Sequence, residues 1–252
     1  MKKLVTTACC LLALTAWADD HKQSTADLVK EAMASDIRTE AETDRDRNRM
    51  PVQTLDFFGM QPDMKVVELL PGGGWYTKVL APVLKEKGEL IVAYGTGRAS
   101  SLIEEHEALS EVKVGAKDSN LYRKDGARFY SLENADLGVT KADMVLTFRN
   151  YHNFDQEGRM AMNEAAWNAL KMDGIYGVVD HTRRHMEGDN DENRRRVDPV
   201  LVIKEVQAAG FELVDYSDLH YRADDELEYE VGRKSVTGNT DRFTLKFKKV
   251  KK

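Results

Sequence analysis

Glu68 is followed, after Leu69, Leu70 and Pro71, by three consecutive glycines, Gly72, Gly73 and Gly74, and then by Trp75, Tyr76 and Thr77. Glycines at such a turn permit positive φ angles and bring backbone N–H groups close to a ligand, and a helix opening behind them adds a partial positive charge. The turn is suited to holding a small molecule; a ligand-free structural turn is the bland alternative. A dinucleotide fingerprint would require a third glycine inside the helix, near Thr77, and a phosphate loop would end in Gly-Lys-Ser/Thr. Neither is present. A second concentration of chemistry is Arg149-Asn150-Tyr151-His152-Asn153-Phe154, cationic, polar and aromatic, in which His152 is of the residue type suited to proton transfer. Arg149 is suited to an acidic substrate group or to an acid of the N-terminal segment. A third is Asp180-His181, with His185 four residues on. Carboxylate and imidazole suit zinc or iron. However, H-x-x-x-H has meaning only on a helix, and the intervening Thr182-Arg183-Arg184 is basic, so no metal is expected. Arg194, Arg195, Arg196 and Asp198 read as ion pairs over the same sheet edge, or as a solvated face.

These groups need elements to position them. Residues 66–70 read as a strand and 75–85 as a helix ending near Gly88. Residues 90–94 form an unbroken apolar run between glycines, as in a buried parallel strand. A helix is expected over 100–109, irregular chain over 111–126, and strands over 127–132 and 142–148. Residues 157–171 carry helical spacing stopped by Gly174, and 175–179 form the next strand, closing at Asp180-His181. A charged loop spans 182–193, a helix 199–209, and two final strands 211–216 and 242–250. Upstream, helical patterns lie around 26–34 and 51–59, separated by the charge-rich run 39–49. Alternating strands and helices imply a mostly parallel α/β sheet with right-handed crossovers. Ligands of such sheets sit beyond the carboxyl ends of the strands, which is where Glu68, Tyr94, Glu133, Arg149 and Asp180 fall.

The segment from Glu68 to Thr77 resembles motif I of the class I S-adenosylmethionine-dependent methyltransferases, and its E-x-x-P-G-G-G-W-Y-T form resembles an exported branch of predicted methyltransferases. The resemblance extends over roughly residues 50–250. It implies a Rossmann-like fold with a mostly parallel seven-stranded sheet and a C-terminal antiparallel hairpin, and S-adenosylmethionine as cofactor. Glu68 would sit near the methionine end of that cofactor and Gly72, Gly73 and Gly74 against its body, with Trp75 and Asn150 in the same site. Tyr94 stands where the family has a ribose-binding acid, Glu133 where it places an acid or amide against adenine, and Leu70 where it usually has glycine. A phenol donates one hydrogen bond but cannot accept two as a carboxylate does. The segment 149–154 resembles the leucine-arginine-asparagine…histidine-aspartate-tryptophan stretch of small-molecule O-methyltransferases, which implies His152 as the general base. Arg149, Tyr151, Asn153, Asp180 and His181 would then surround the acceptor. The charge-rich run 39–49 reads either as a solvated helix face or as a lid, and the resemblance implies a helical lid segment over 19–49 and a methyltransferase-like domain over 50–252.

The chain opens with Lys2 and Lys3, an apolar run to Leu14, and Ala16-Trp17-Ala18 before Asp19. That is the pattern of a secretory signal peptide over 1–18, cut after Ala18, rather than of a membrane anchor, which needs about 20 apolar residues. Cys9 and Cys10 leave with it, excluding disulfides, thiol catalysis and zinc–thiolate sites from the mature chain. About 234 residues remain, enough for one α/β domain. The 37 basic and 43 acidic side chains (net −6) become 35 and 43 (net −8) once Lys2 and Lys3 are removed. An acidic exported domain suits small-molecule partners rather than nucleic acid or anionic membrane. The expected activity is methyl transfer to a small-molecule acceptor at oxygen, in the periplasm or outside the cell. Two readings compete with it: an exported protein that binds a ligand on a methyltransferase scaffold without methylating it, and metal-assisted hydrolysis through the histidines.

Overall fold

The computed structural model describes residues 23–251. The expected signal peptide, its cleavage point and both cysteines lie outside the described residues. In chain order the elements are α1 (Thr25–Met33), α2 (Glu40–Thr43), α3 (Asp46–Arg49), α4 (Pro51–Phe58), β1 (Lys65–Leu69), α5 (Thr77–Leu84), β2 (Glu89–Ala93) and α6 (Gly97–Glu105). There follow β3 (Lys113–Val114), β4 (Asn120–Tyr122), β5 (Ser131–Glu133), β6 (Ala142–Phe148), α7 (Gln156–Ala169), β7 (Leu170–His181), α8 (Pro199–Ala208), β8 (Phe211–Ser217) and β9 (Arg242–Lys249).

Seven strands form one sheet in the order β3-β2-β1-β6-β7-β9-β8. The first five are parallel, and β9 runs antiparallel between β7 and β8. The central strands are apolar without alternation because both faces are covered. Successive side chains still point to opposite sides. Val67, Leu69, Ile91 and Val145 join a core completed by Met162 and Ala166 of α7 and Val202 and Val206 of α8. Val66, Leu90, Val92, Met144 and Leu146 join a second core with Val29 of α1, Leu55 and Phe58 of α4, and Val79 and Leu80 of α5. Helix starts follow local capping chemistry: the side chains of Ser24, Asp155 and Asp198 each accept a backbone N–H of the helix they precede.

Three expectations need correction. The third parallel strand is β3, two residues inside the stretch expected to be irregular, and too short to show periodicity. Residues 127–132 do not supply it: β5 pairs only with β4, antiparallel, in a separate two-stranded sheet. Helix α7 ends at Ala169, and Leu170 already pairs with Ala142; the ladder then skips to Met144 and Ile175, leaving Asp173 and Gly174 in an irregularity rather than in a helix stop.

Candidate functional site

Leu70, Tyr94 and Arg149 immediately follow β1, β2 and β6, three neighbours in the sheet, and all take left-handed backbone, with φ of 51°, 62° and 62°. Side chains with a β-carbon hold that conformation at an expense on the order of 1 kcal/mol each. The three strands thus turn sharply at one edge and leave space beyond it. Leu70 adopts the left-handed conformation for which glycine is the easy choice, and its N–H donates to Ala93 O (2.8 Å).

The space over the glycine turn is a cleft of about 340 Å³ lined by Glu68, Gly72, Gly73, Trp75, Arg149 and Asn150, with Arg49 reaching in from α3. The glycines divide the work. A β-carbon on Gly74 (φ 78°) would collide with Leu102 Cδ2, so this glycine serves packing. One on Gly73 would meet nothing within 4 Å, so this glycine faces the cleft. Glu68 is 3% exposed, and its Oε2 accepts the Thr77 hydroxyl at 2.6 Å. Burial raises its carboxyl to about 7, although the Thr77 bond and the Arg49 charge pull the other way. Asn150 Nδ2 donates to Leu70 O (3.1 Å) and Phe148 O (3.0 Å), tying the ends of β1 and β6 together.

The segment containing α2 and α3 covers this turn. Trp75 Nε1 donates to Glu42 O (2.9 Å), the Glu42 carboxylate pairs with Lys78 Nζ (2.9 Å), and the Arg49 and Arg38 guanidiniums stand 4.2 and 4.9 Å from the Trp75 ring centroid. Arg38 in turn holds Asp46 and donates to Met33 O (2.7 Å).

A second cleft, of about 310 Å³, shares Arg149 with the first; Arg45, His152, Asn153, His181 and Arg242 also line it. His152 Nδ1 lies 2.6 Å from Asp180 Oδ1, and the His152 N–H donates to Oδ2 at 3.0 Å. A carboxylate oxygen accepts, so the contact favours the Nδ1–H tautomer of the neutral ring, the form in which Nε2 carries the lone pair. Asp180 is fully buried and also accepts the His181 N–H (2.6 Å). His181 lies with its ring centroid 5.8 Å from that of His152, and its Nδ1 is 2.8 Å from Thr240 Oγ1. Burial, the Arg242 charge and His152 push its pKa well down, so it is neutral.

Of the expected site residues, Glu68, Gly72, Gly73, Trp75 and Asn150 line the first cleft, His152, Asn153 and His181 the second, and Arg149 both. Gly74 supports the turn from behind. Four do not reach either cleft. Tyr94 is buried in the core, where Ala135 O takes up its hydroxyl, so the phenol is not free to meet a ligand. Glu133 belongs to the small β4–β5 sheet, where the Tyr122 hydroxyl (2.6 Å) and Asn120 amide (3.2 Å) donate to it. Tyr151 is wholly buried, donating to Glu205 Oε2 (2.8 Å) and accepting from Asn163 (2.8 Å). Asp180 acts only through the histidines that it holds. His185 turns instead to Asp198, 2.8 Å away. Among the described residues no group of three or more His, Cys, Asp or Glu is placed to hold a metal ion. Arg196 pairs with Asp225 (2.8 Å) and Arg195 with Glu230, so the basic run is largely neutralised by a distant acidic stretch.

Arg45, Arg49 and Arg242 escaped the sequence reading as site residues. Arg45 and Arg49 stand four apart in one short segment, a spacing that puts them on one helical face and could have singled them out. Arg242 had no such signal: it arrives beside His181 only through the antiparallel register of β7 and β9.

No protein-family model and no curated protein matches the sequence. Solved structures do. A SAM-dependent methyltransferase from Aquifex aeolicus aligns over 91% of this chain and 100% of its own, with TM-score 0.57 and 14% identity. The [4+2]-cyclase SpnF aligns over 80% of each chain with TM-score 0.56 and 13% identity. The glycopeptide N-methyltransferase MtfA, complexed with sinefungin, covers 81% of this chain and 94% of its own at TM-score 0.51 and 10% identity. At these identities the likeness is one of architecture, and the architecture is the Rossmann-like fold of class I methyltransferases.

Proposed function

We propose that the protein is an S-adenosylmethionine-dependent methyltransferase acting on a small-molecule acceptor at oxygen. The observation that carries this reading is the juxtaposition of the Glu68–glycine cleft with the His152–Asp180 pair, joined through Arg149. The residues of the first cleft fit the cofactor. Gly73 leaves room for its body, Glu68 is a buried acid suited to its ammonium, and Arg49, whose Nε has no partner among the described residues, is suited to its carboxylate. When bound, the cofactor would supply an electrophilic methyl group.

The chain's own contribution is position and proton handling. Asp180 fixes the tautomer and orientation of His152, leaving Nε2 as the acceptor of a hydroxyl proton; such a base contributes about 100-fold or more. Asn150 holds the two strand ends in register, and the α2–α3 segment limits access of water. Most of the rate would come from holding the reactants in attack geometry. The test is isothermal titration with S-adenosylmethionine and S-adenosylhomocysteine. Micromolar binding supports the reading, and absence of binding at millimolar ligand sinks it.

A second reading, a ligand-binding protein on the same scaffold that does not methylate, is favoured by Tyr94, which leaves the end of β2 without a cleft-facing acid. The likeness to a [4+2]-cyclase supports the general point that this fold does not dictate one chemistry. Export is proposed from the N-terminal pattern: N-terminal sequencing of the mature protein should begin at Asp19, and a start at Met1 would remove that proposal.

A further inference from the structure

The second cleft holds more positive charge than the protein neutralises. Arg45, Arg149, Arg195 and Arg242 line it, together with the neutral His181 and with His152, and no carboxylate lines it. Two acids touch its walls from outside: Asp180, engaged by His152 and His181, and Glu230, paired with Arg195. Among the described residues, Arg45, Arg149 and Arg242 have no ion-pair partner. Arg242 is 4% exposed; it spends one N–H on Asn48 O (2.7 Å), and its Nε is buried without a partner. Arg149 Nε is likewise buried and unpartnered. Burial and mutual repulsion hold Arg149 and Arg242 below the usual guanidinium range. Buried guanidiniums without acids are among the least favourable arrangements in a protein interior, and they persist where something else supplies the charge. A guanidinium fork matches a planar or tetrahedral oxyanion by parallel N–H···O bonds.

We propose that the second cleft is an oxyanion-binding subsite, built by Arg149 and Arg242 with Arg45 closing from the N-terminal segment, that seats the carboxylate or phosphate group of an acidic acceptor and so brings its hydroxyl to His152. The assignment of the oxyanion to an acceptor rests on the methyltransferase reading, whereas its binding does not. The N-terminal segment contributes to both clefts, Arg49 to one and Arg45 to the other. An anionic acceptor would therefore help to order the cover over the cofactor cleft.

The test uses the whole mature chain without cofactor, titrated at low ionic strength with inorganic phosphate and, separately, with acetate. The tighter of the two identifies the group preferred. Arg242→Gln and Arg45→Gln should each weaken the bound anion by at least about tenfold, the scale of one lost charge-assisted contact. Lys30→Gln, at an exposed side chain of α1 that lines neither cleft, should not. Arg45, half-buried, keeps the test available should Arg242→Gln fail to fold. S-adenosylhomocysteine is titrated in parallel, and the anion must bind without displacing it. Three results would overturn the subsite: no binding of either anion, equal binding in all variants, or competition with S-adenosylhomocysteine. Anion binding without S-adenosylhomocysteine binding would instead preserve the subsite and remove the methyltransferase reading.

Discussion

The two clefts sit side by side on one sheet edge but are made from different materials. The glycine cleft takes most of its lining from one stretch, residues 68–76, in which backbone and a single buried acid do much of the shaping, with Glu42, Arg49, Arg98 and residues 148–150 completing its rim. The arginine cleft collects its lining from five places in the chain: residue 45, residues 149–153, residue 181, residue 195 and residues 231–242. The floor of the first can therefore be recognised from local sequence, although its rim shares with the second cleft the N-terminal segment and Arg149. The second depends on strand register and on the docking of the N-terminal segment, and should be sensitive to both.

The largest expected effect falls on the backbone cleft. Gly73→Asp should abolish S-adenosylhomocysteine binding by filling the open space with a side chain and an anion, while leaving the melting temperature nearly unchanged; calorimetry and thermal unfolding check the two halves. Unchanged affinity would place the cofactor elsewhere and dissolve the contrast between the clefts. Next, His152→Ala should leave cofactor binding intact and slow turnover by about 100-fold or more. Equal loss of binding and rate would make His152 a structural residue of the second cleft. The third effect is a pH dependence. The folded state holds Glu68 protonated up to about 7, above its ordinary value of 4.5, so its contribution to stability is present at low pH and lost as pH rises from about 4.5 to about 7. Glu68→Gln, which cannot ionise, should remove that decline and exceed the wild type above neutrality by up to about 3 kcal/mol. Denaturant titrations of both proteins at pH values on either side of this window measure it, and parallel curves would show that Glu68 is not the group responsible. The smallest effect belongs to a residue outside both clefts. Tyr94→Phe should lower stability by about 1 kcal/mol through the lost bond to Ala135 O, with cofactor affinity unchanged. A clear loss of affinity would bring Tyr94 back into the site.

The difference in materials explains what the sequence disclosed. The order of strands and helices was legible because the central strands are largely apolar runs, β2 standing between Gly88 and Gly95, and because α4 and α8 open on prolines. Strand β3 was not, since two residues carry no period and its place is set by pairing with β2. Within the site, Glu68, the glycines, Asn150 and His152 could be read from motif and spacing. The fates of Tyr94 and Tyr151 could not, because both hydroxyls are claimed by partners remote in sequence, Ala135 and the Glu205–Asn163 pair. Arg242 was invisible for the same reason in reverse: its role comes from a neighbour, His181, that only the folded sheet supplies.

Trp75 joins the two halves of the cover, its indole N–H on Glu42 O and its ring beneath the guanidiniums of Arg49 and Arg38. Any lifting of the N-terminal segment must break these contacts together and change the polarity around an indole. The only other tryptophan of the described chain, Trp167, lies on α7 on the far side of the sheet. The molecule thus carries its own optical gauge: in a Trp167→Phe background, emission from Trp75 would report in real time whether the cover opens, and stopped-flow mixing would show whether its motion sets the rate at which ligands enter.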